Sequence, residues 1–176
     1  MNKILLVVDM QNDFIDGVLG TPEAQAIVPK VAEKIRNFDG DVYFTMDTHE
    51  DDYAQTWEGR NLPILHCQKG TYGWLLNDEI YKVVREKEAR MILKDTFGCA
   101  WLYTFFAPLL PQYIEVIGLC TDICVIANVM ICQSDWKSAE IVVDASCCAG
   151  SSPELHEAAL KVMKSCQIKI IEGDSK

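Results

Sequence analysis

The sequence lacks any apolar run of the roughly 18 residues that a membrane-spanning helix needs, so no membrane association is predicted. It has no glycine-rich dinucleotide fingerprint after its first apolar run, no P-loop, no Cys-x-x-Cys pair and no Gly-x-Ser-x-Gly elbow. Those absences remove the usual nucleotide cradles, thioredoxin-type redox chemistry and the serine nucleophile of α/β-hydrolases. Histidine is scarce, with three in 176 residues. Positive charge is also short: Lys+Arg is 16 against 26 Asp+Glu, for a formal net charge of -10. Nucleic-acid binding needs a basic surface, so no nucleic-acid partner is expected.

Cysteine, by contrast, is plentiful: Cys67, Cys99, Cys120, Cys124, Cys132, Cys147, Cys148 and Cys166. An even count invites a disulfide framework. A chain this long does not need staples, however. Its opening Met1-Asn-Lys runs after a few apolar residues into Asp9, which is unlike a signal peptide. Several cysteines lie within apolar runs, where a free thiol packs as a small hydrophobe. The expectation is a reduced, cytoplasmic protein.

Composition is ordinary for a globular protein, 49 % hydrophobic and 24 % charged, and the length predicts one domain over 1–176. Residues 3–8 are continuously apolar, as in a strand buried on both faces. Thr21-Pro22 reads as a helix cap and first turn, and the helix runs to about Arg36. Further strands are predicted over 42–46, 90–93, 113–117, 139–143 and 167–171. Helices are predicted near 75–84 and over 101–110, 122–132 and 153–164. Residues 47–79, apart from the start of that first helix, read as a long functional loop region. This alternation predicts a three-layer α/β/α fold with a mainly parallel six-stranded sheet.

In such sheets ligands bind outside the C-terminal strand ends. Those ends carry Asp9, then Asp47 with His49, then Lys94 with Asp95, then the 118–124 segment, then Asp144. Cys124 falls in the first turn of a predicted helix. There the dipole and free N–H groups favour a thiolate and hold a developing oxyanion. Asp9 could accept its proton and Lys94 could stabilise both anions. Equally, Cys124 could be a small buried residue, Asp9 a turn former, and Lys94–Asp95 a solvated pair. Cys120 is a rival nucleophile, in the loop ahead of the dipole. Asp47, His49 and His66, with Glu58 as a fourth ligand, could hold zinc, iron or manganese, or could be simple hydrogen-bonded groups. His156 reads as a structural or solvated helix residue.

Three segments carry a resemblance. Leu6-Val7-Val8-Asp9-Met10-Gln11-Asn12-Asp13-Phe14, Lys94-Asp95-Thr96-Phe97 and Gly118-Leu119-Cys120-Thr121-Asp122-Ile123-Cys124-Val125 occur in this order, each at a strand end. The chain resembles the isochorismatase-like cysteine hydrolase family, and within it the nicotinamidase branch. The resemblance implies a catalytic triad of Asp9, Lys94 and Cys124. It implies a cis peptide between Leu119 and Cys120, and an oxyanion site from the backbone N–H groups of Cys120 and Cys124. It implies Phe14 and Leu119 at the substrate, and a divalent metal, zinc with iron or manganese as alternatives, on Asp47, His49, His66 and Glu58. The implied activity is hydrolysis of a small carboxamide through a thioester, with nicotinamide first. Alternatives are a carbamoyl or ureido amide, a vinyl-ether hydrolase without the cysteine chemistry, or a non-catalytic binding protein. A homodimer or tetramer is also implied. One departure stands out. Residues 61–65, ahead of His66, carry no aromatic, leaving Tyr53, Trp57, Tyr72 or Trp74 to cover a substrate ring.

Overall fold

Ile4 to Val8 in strand β1 (Lys3–Val8) are completely buried, as expected of a strand covered on both faces. The structure, a computed structural model, describes residues 2–173; Met1 and residues 174–176, the outer ends of the expected 1–176 unit, lie outside the described residues. Strands β2 (Asp41–Asp47), β3 (Arg90–Lys94), β4 (Tyr113–Leu119), β5 (Glu140–Ala149) and β6 (Lys169–Ile171) complete the sheet. Their order is β3-β2-β1-β4-β5-β6, with neighbouring strands parallel. Helices cover both faces, giving the expected three-layer α/β/α fold: α1 (Asn12–Ile15), α2 (Pro22–Asn37), α3 (Trp57–Asn61), α4 (Asp78–Glu86), α5 (Leu102–Phe106), α6 (Ile126–Asp135) and α7 (Pro153–Ser165). No helix among the described residues is long and apolar enough to cross a membrane.

Local chemistry explains the elements. Thr21 accepts a hydrogen bond from the Ala24 amide at 3.0 Å and starts α2, and Ser152 caps α7 from Leu155 in the same way. The buried stripe of α2, including Ile27, Val31 and Ile35, packs over β4 and β5. The helix expected over 101–110 is shorter, because after Phe106 the chain tightens into a 3₁₀ turn and Leu110 adopts a left-handed φ of 48°. Within the predicted loop region the chain forms α3 and a 3₁₀ turn, Tyr53–Gln55, too short for periodicity to reveal.

The largest departure concerns β5. It was expected to end near Val143 and to deliver Asp144 to the rim. Instead it continues to Ala149. Val116 faces Val143 while Gly118 faces Cys148, so the intervening residues of β5 bulge. Asp144 therefore lies inside the fold, fully buried, with Lys34 Nζ 2.9 Å from Oδ2; the same ammonium is 3.0 Å from Glu115. Cys147 and Cys148 are buried in this strand and pack.

The strand order reverses direction between β1 and β4. That reversal opens a crevice at the carboxyl ends of the two strands. Asp9 follows β1 and Cys120 follows β4, so the fold itself brings these two segments together.

Candidate active site

Asp9 turns the chain out of β1 with a left-handed φ of 47°, a conformation Asp tolerates better than most residues. Thr45 of β2 holds it twice. Its hydroxyl donates to Asp9 Oδ1 at 2.7 Å and accepts from the Asp9 amide at 3.2 Å. Lys94, at the end of β3, places Nζ 2.7 Å from Asp9 Oδ2, 3.1 Å from Asp47 Oδ1 and 3.6 Å from Cys124 Sγ. All four side chains are buried.

Cys124 sits in a π-helical turn, Thr121–Val125, that leads into α6. Gly118 precedes this turn with a φ of 117°, and any Cβ there would lie 2.2 Å from the Val8 carbonyl, so only glycine fits. The Leu119–Cys120 peptide is cis. The Cys120 carbonyl accepts from the amides of Ile123 at 3.0 Å and Val125 at 3.1 Å, closing the turn. Asn128 then locks it: its Nδ2 donates to the Cys124 carbonyl at 2.7 Å and its Oδ1 accepts from the Cys99 amide at 2.8 Å. Asn128 was not singled out from sequence. The available signal was a lone Asn one turn beyond Cys124 on an apolar helix. Asp122 accepts from the Ser151 amide and hydroxyl at 2.8 and 2.6 Å, so it orients the loop before α7. His156 pairs with Thr121 at 2.8 Å, a structural contact.

The electrostatics differ from the sequence expectation in one respect. Burial, and then the charge of Asp9, push the Cys124 thiol well above its ordinary value, against the pull of Lys94. Burial and Asp9 thus act against the lowering expected from the helix dipole. Burial also raises Asp9, against Lys94. Lys94 stays protonated: burial works against its charge, but Asp9, Cys124 and Asp47 outweigh it. Burial and Asp122 push Cys120 up as well, to about 12, and it is Cys124 whose sulfur lies 3.6 Å from Lys94 Nζ.

Beside this triangle, Asp47, His49, Glu58 and His66 converge, with one ligand atom from each within 4.8 Å of the others. His49 Nε2 is 3.0 Å from Asp47 Oδ2 and 3.7 Å from Glu58 Oε1; His66 Nε2 is 3.6 and 3.5 Å from the same two atoms. His49 Nε2 is buried and has no hydrogen-bond partner of acceptable geometry. The Ile64 carbonyl, 2.8 Å from His66 Nδ1, can only accept, so that nitrogen carries a proton, and Nε2, facing the Asp47 and Glu58 carboxylates, is the atom that takes either a second proton or a cation. Burial opposes a charge on His66, yet the Asp47 and Glu58 carboxylates hold its pKa up at about 10. Two neutral-capable imidazoles and two carboxylates facing one point suit a divalent cation with bonds of about 2.0–2.2 Å. Gln11 fixes the cluster: Nε2 donates to the Asp47 carbonyl at 2.8 Å and Oε1 accepts the Asp47 amide at 2.7 Å. Asp13 accepts the Cys67 amide at 2.7 Å, next to His66. Both read from sequence only as polar loop residues.

Above Cys124 and this cluster opens a cavity of about 630 Å³, bordered by Phe14, Trp57, Leu62, Phe97, Cys120 and Ile123 among others. Of the aromatics offered from sequence, Trp57 lines it. Tyr53 instead packs against the rings of His49 and His66, with centroids at 4.5 and 5.3 Å. Trp74 donates to Thr48, and Tyr72 is exposed. Leu119 is fully buried in the core and is not among the residues lining the cavity.

An isochorismatase domain model matches residues 3–175. The chain belongs to the isochorismatase family. Within it, the chain falls in the nicotinamidase-like branch. It is 26 % identical to the nicotinamidase of Bacillus subtilis, with a TM-score of 0.82, covering 98 % of this chain and 100 % of that one. It is equally 26 % identical to a pyrazinamidase of Pyrococcus horikoshii solved in complex with zinc, with a TM-score of 0.81 and the same coverage. An Arabidopsis thaliana protein named "Probable inactive nicotinamidase" is also 26 % identical, over 96 % of this chain and 91 % of that protein.

Proposed function

We propose that this isochorismatase-family protein hydrolyses a small carboxamide to acid and ammonia through a thioester on Cys124, with nicotinamide as the first substrate to test. Because one similar protein is named inactive, the reading rests on side chains present in this chain. The observation that carries it is the Lys94 ammonium, 2.7 Å from Asp9 and 3.6 Å from the thiol of Cys124, which itself lines a largely apolar cavity.

Asp9 takes the thiol proton as the sulfur attacks the carboxamide carbon. A carboxylate beside an ammonium can do this without a preformed thiolate, in keeping with the raised Cys124 thiol. The Cys120 and Cys124 backbone N–H groups receive the developing oxyanion. Asp9 returns its proton to the leaving nitrogen, the C–N bond breaks and ammonia departs. Water then attacks the thioester, Asp9 takes its proton, the C–S bond breaks and Cys124 regains its hydrogen. Lys94 keeps Asp9 anionic between steps and orients it toward sulfur. Asp47, His49, Glu58 and His66 would hold a divalent ion, zinc with iron or manganese as alternatives, which when bound supplies Lewis acidity to a substrate ring nitrogen or to water.

The test is ammonia release from nicotinamide by the metal-loaded protein and by its Cys124→Ala variant. Turnover by the first and loss in the second are expected. Turnover of another carboxamide but not of nicotinamide would redirect the substrate reading. Full activity without the thiol would overturn the mechanism.

A further inference from the structure

The cavity is larger than the substrate just named. Its volume of about 630 Å³ lies well inside the range of sites that enclose drug-sized ligands, about 300–1,000 Å³. At about 30 Å³ per liquid water, that is room for roughly twenty waters, and one ring bearing a carboxamide displaces only a fraction of them. The remaining space is apolar: Phe14, Leu19, Trp57, Leu62, Phe97 and Ile123 line it. Leu65, directly ahead of His66, is 59 % exposed and does not line the cavity.

Carboxylates dominate the charges around the cavity, with His66 the described lining residue that carries positive charge. Asp47 and Glu58 line it at the His cluster and Asp95 lines it near Thr96, while no described lining residue is Lys or Arg. Lys94 lies beneath, its side chain 1 % exposed and engaged by Asp9 and Asp47. Arg60 is turned to Trp57, 5.6 Å from the ring centroid, and to the Gln55 carbonyl at 3.1 Å. A divalent ion would balance Asp47 and Glu58, leaving Asp95. A substrate arm ending in a carboxylate would lose its water against the apolar walls of Trp57, Leu62 and Phe97, which offer it no charge-assisted hydrogen bond. A neutral apolar arm loses nothing and gains burial.

From this we infer that the substrates of this site are neutral carboxamides that carry a second apolar ring or chain, with the amide at Cys124 and the arm against Trp57, Leu62 and Phe97. Leu62 is the specificity-determining position. Its carbonyl accepts from the Tyr53 hydroxyl at 2.8 Å, so it is anchored to the same aromatic that packs on the metal-site histidines. The chemistry is unchanged: amide plus water gives acid plus ammonia. The inference rests on the hydrolase reading for the amide end alone.

Two readouts separate the inference from that reading. The metal-loaded protein is assayed for ammonia release, and the metal-loaded Cys124→Ala variant for binding by calorimetry. The probes are nicotinamide, 5-phenylnicotinamide and 5-carboxynicotinamide. The phenyl amide is expected to bind roughly tenfold or more tighter than nicotinamide, with kcat/KM raised in proportion, and the carboxylate at least about tenfold weaker than the phenyl amide. Leu62→Trp, which fills the space, is expected to erase the phenyl preference. Equal binding of phenyl amide and nicotinamide, carboxylate binding as tight as phenyl, or a phenyl preference that survives Leu62→Trp would each overturn the inference. If nicotinamide is hydrolysed in those cases, the hydrolase reading still stands. Tight phenyl binding with no ammonia from any probe would overturn the hydrolase reading and uphold the arm.

Discussion

Replacing Lys94 by Met keeps an aliphatic stem of similar length and deletes one charge. That charge lies 2.7 Å from Asp9 and 3.1 Å from Asp47, so at an effective dielectric of about 20 each attraction is gross worth about 5–6 kcal/mol. Most of this only offsets the cost of having taken the three groups out of water. Breaking such a buried arrangement from one side costs about 3–5 kcal/mol net. A typical domain has about 5–15 kcal/mol in total, so Lys94→Met is expected to fold but with a clearly lower urea midpoint. Burial already favours the neutral form of Asp9. Without the ammonium Asp9 takes up a proton, which holds the stability loss near the low end of that range. The same protonation removes the base. A positioned base contributes about 10²–10⁴-fold, and kcat/KM for ammonia release is expected to fall by that order in protein shown to be folded by circular dichroism. A variant within about 1 kcal/mol of wild type and within about tenfold in kcat/KM would refute the role given to Lys94.

Thr45→Val removes the hydroxyl that donates to Asp9 Oδ1 at 2.7 Å while preserving shape; a stability loss of about 2 kcal/mol and a larger fall in kcat than rise in KM are expected from urea titration and steady-state kinetics. Chelation is expected to abolish ammonia release and added divalent ion to restore it, whereas His66→Ala, which deletes one arm of the cluster, lowers bound metal severalfold by elemental analysis. Burial would raise Asp144, but its hydrogen bonds from Ser146 and its contact with Lys34 hold it below the ordinary carboxylate value. Its stabilisation is therefore present above about pH 4 and lost as pH falls through its lower folded value. Asp144→Asn is expected to lower stability by about 3 kcal/mol at neutral pH, and its urea midpoint is expected to fall less steeply than that of wild type below about pH 4.

Much of the fold was legible because buried parallel strands write themselves as apolar runs. Residues 3–8 and the caps Thr21 and Ser152 leave little choice locally. The end of β5 was not legible. A bulge at 144–147 depends on what β4 offers opposite, and an Asp following an apolar run reads as a strand end, not as a buried partner of Lys34 on a distant helix. At the candidate site, Asp9 and Lys94 stood out in the sequence because each stands where a strand stops, and Cys124 because it lies in the turn that leads from β4 into α6. Gln11 and Asn128 did not, since both act on backbone groups far along the chain, Asp47 and Cys99, and a side-chain amide in a loop or helix carries no mark of such a target. The thiol's electrostatics were misjudged for a related reason: the helix dipole is a local feature, whereas burial and the nearby Asp9 belong to the assembled fold.

The claim that Cys124 forms the covalent intermediate is tested most directly by acid-quenching a single turnover of nicotinamide and weighing the protein. The expected result is a nicotinoyl adduct, removed by hydroxylamine, on the peptide containing Cys124 and absent from Cys124→Ala. Ammonia release at the normal rate by Cys124→Ala, or an adduct carried on Cys120 instead, would contradict the account.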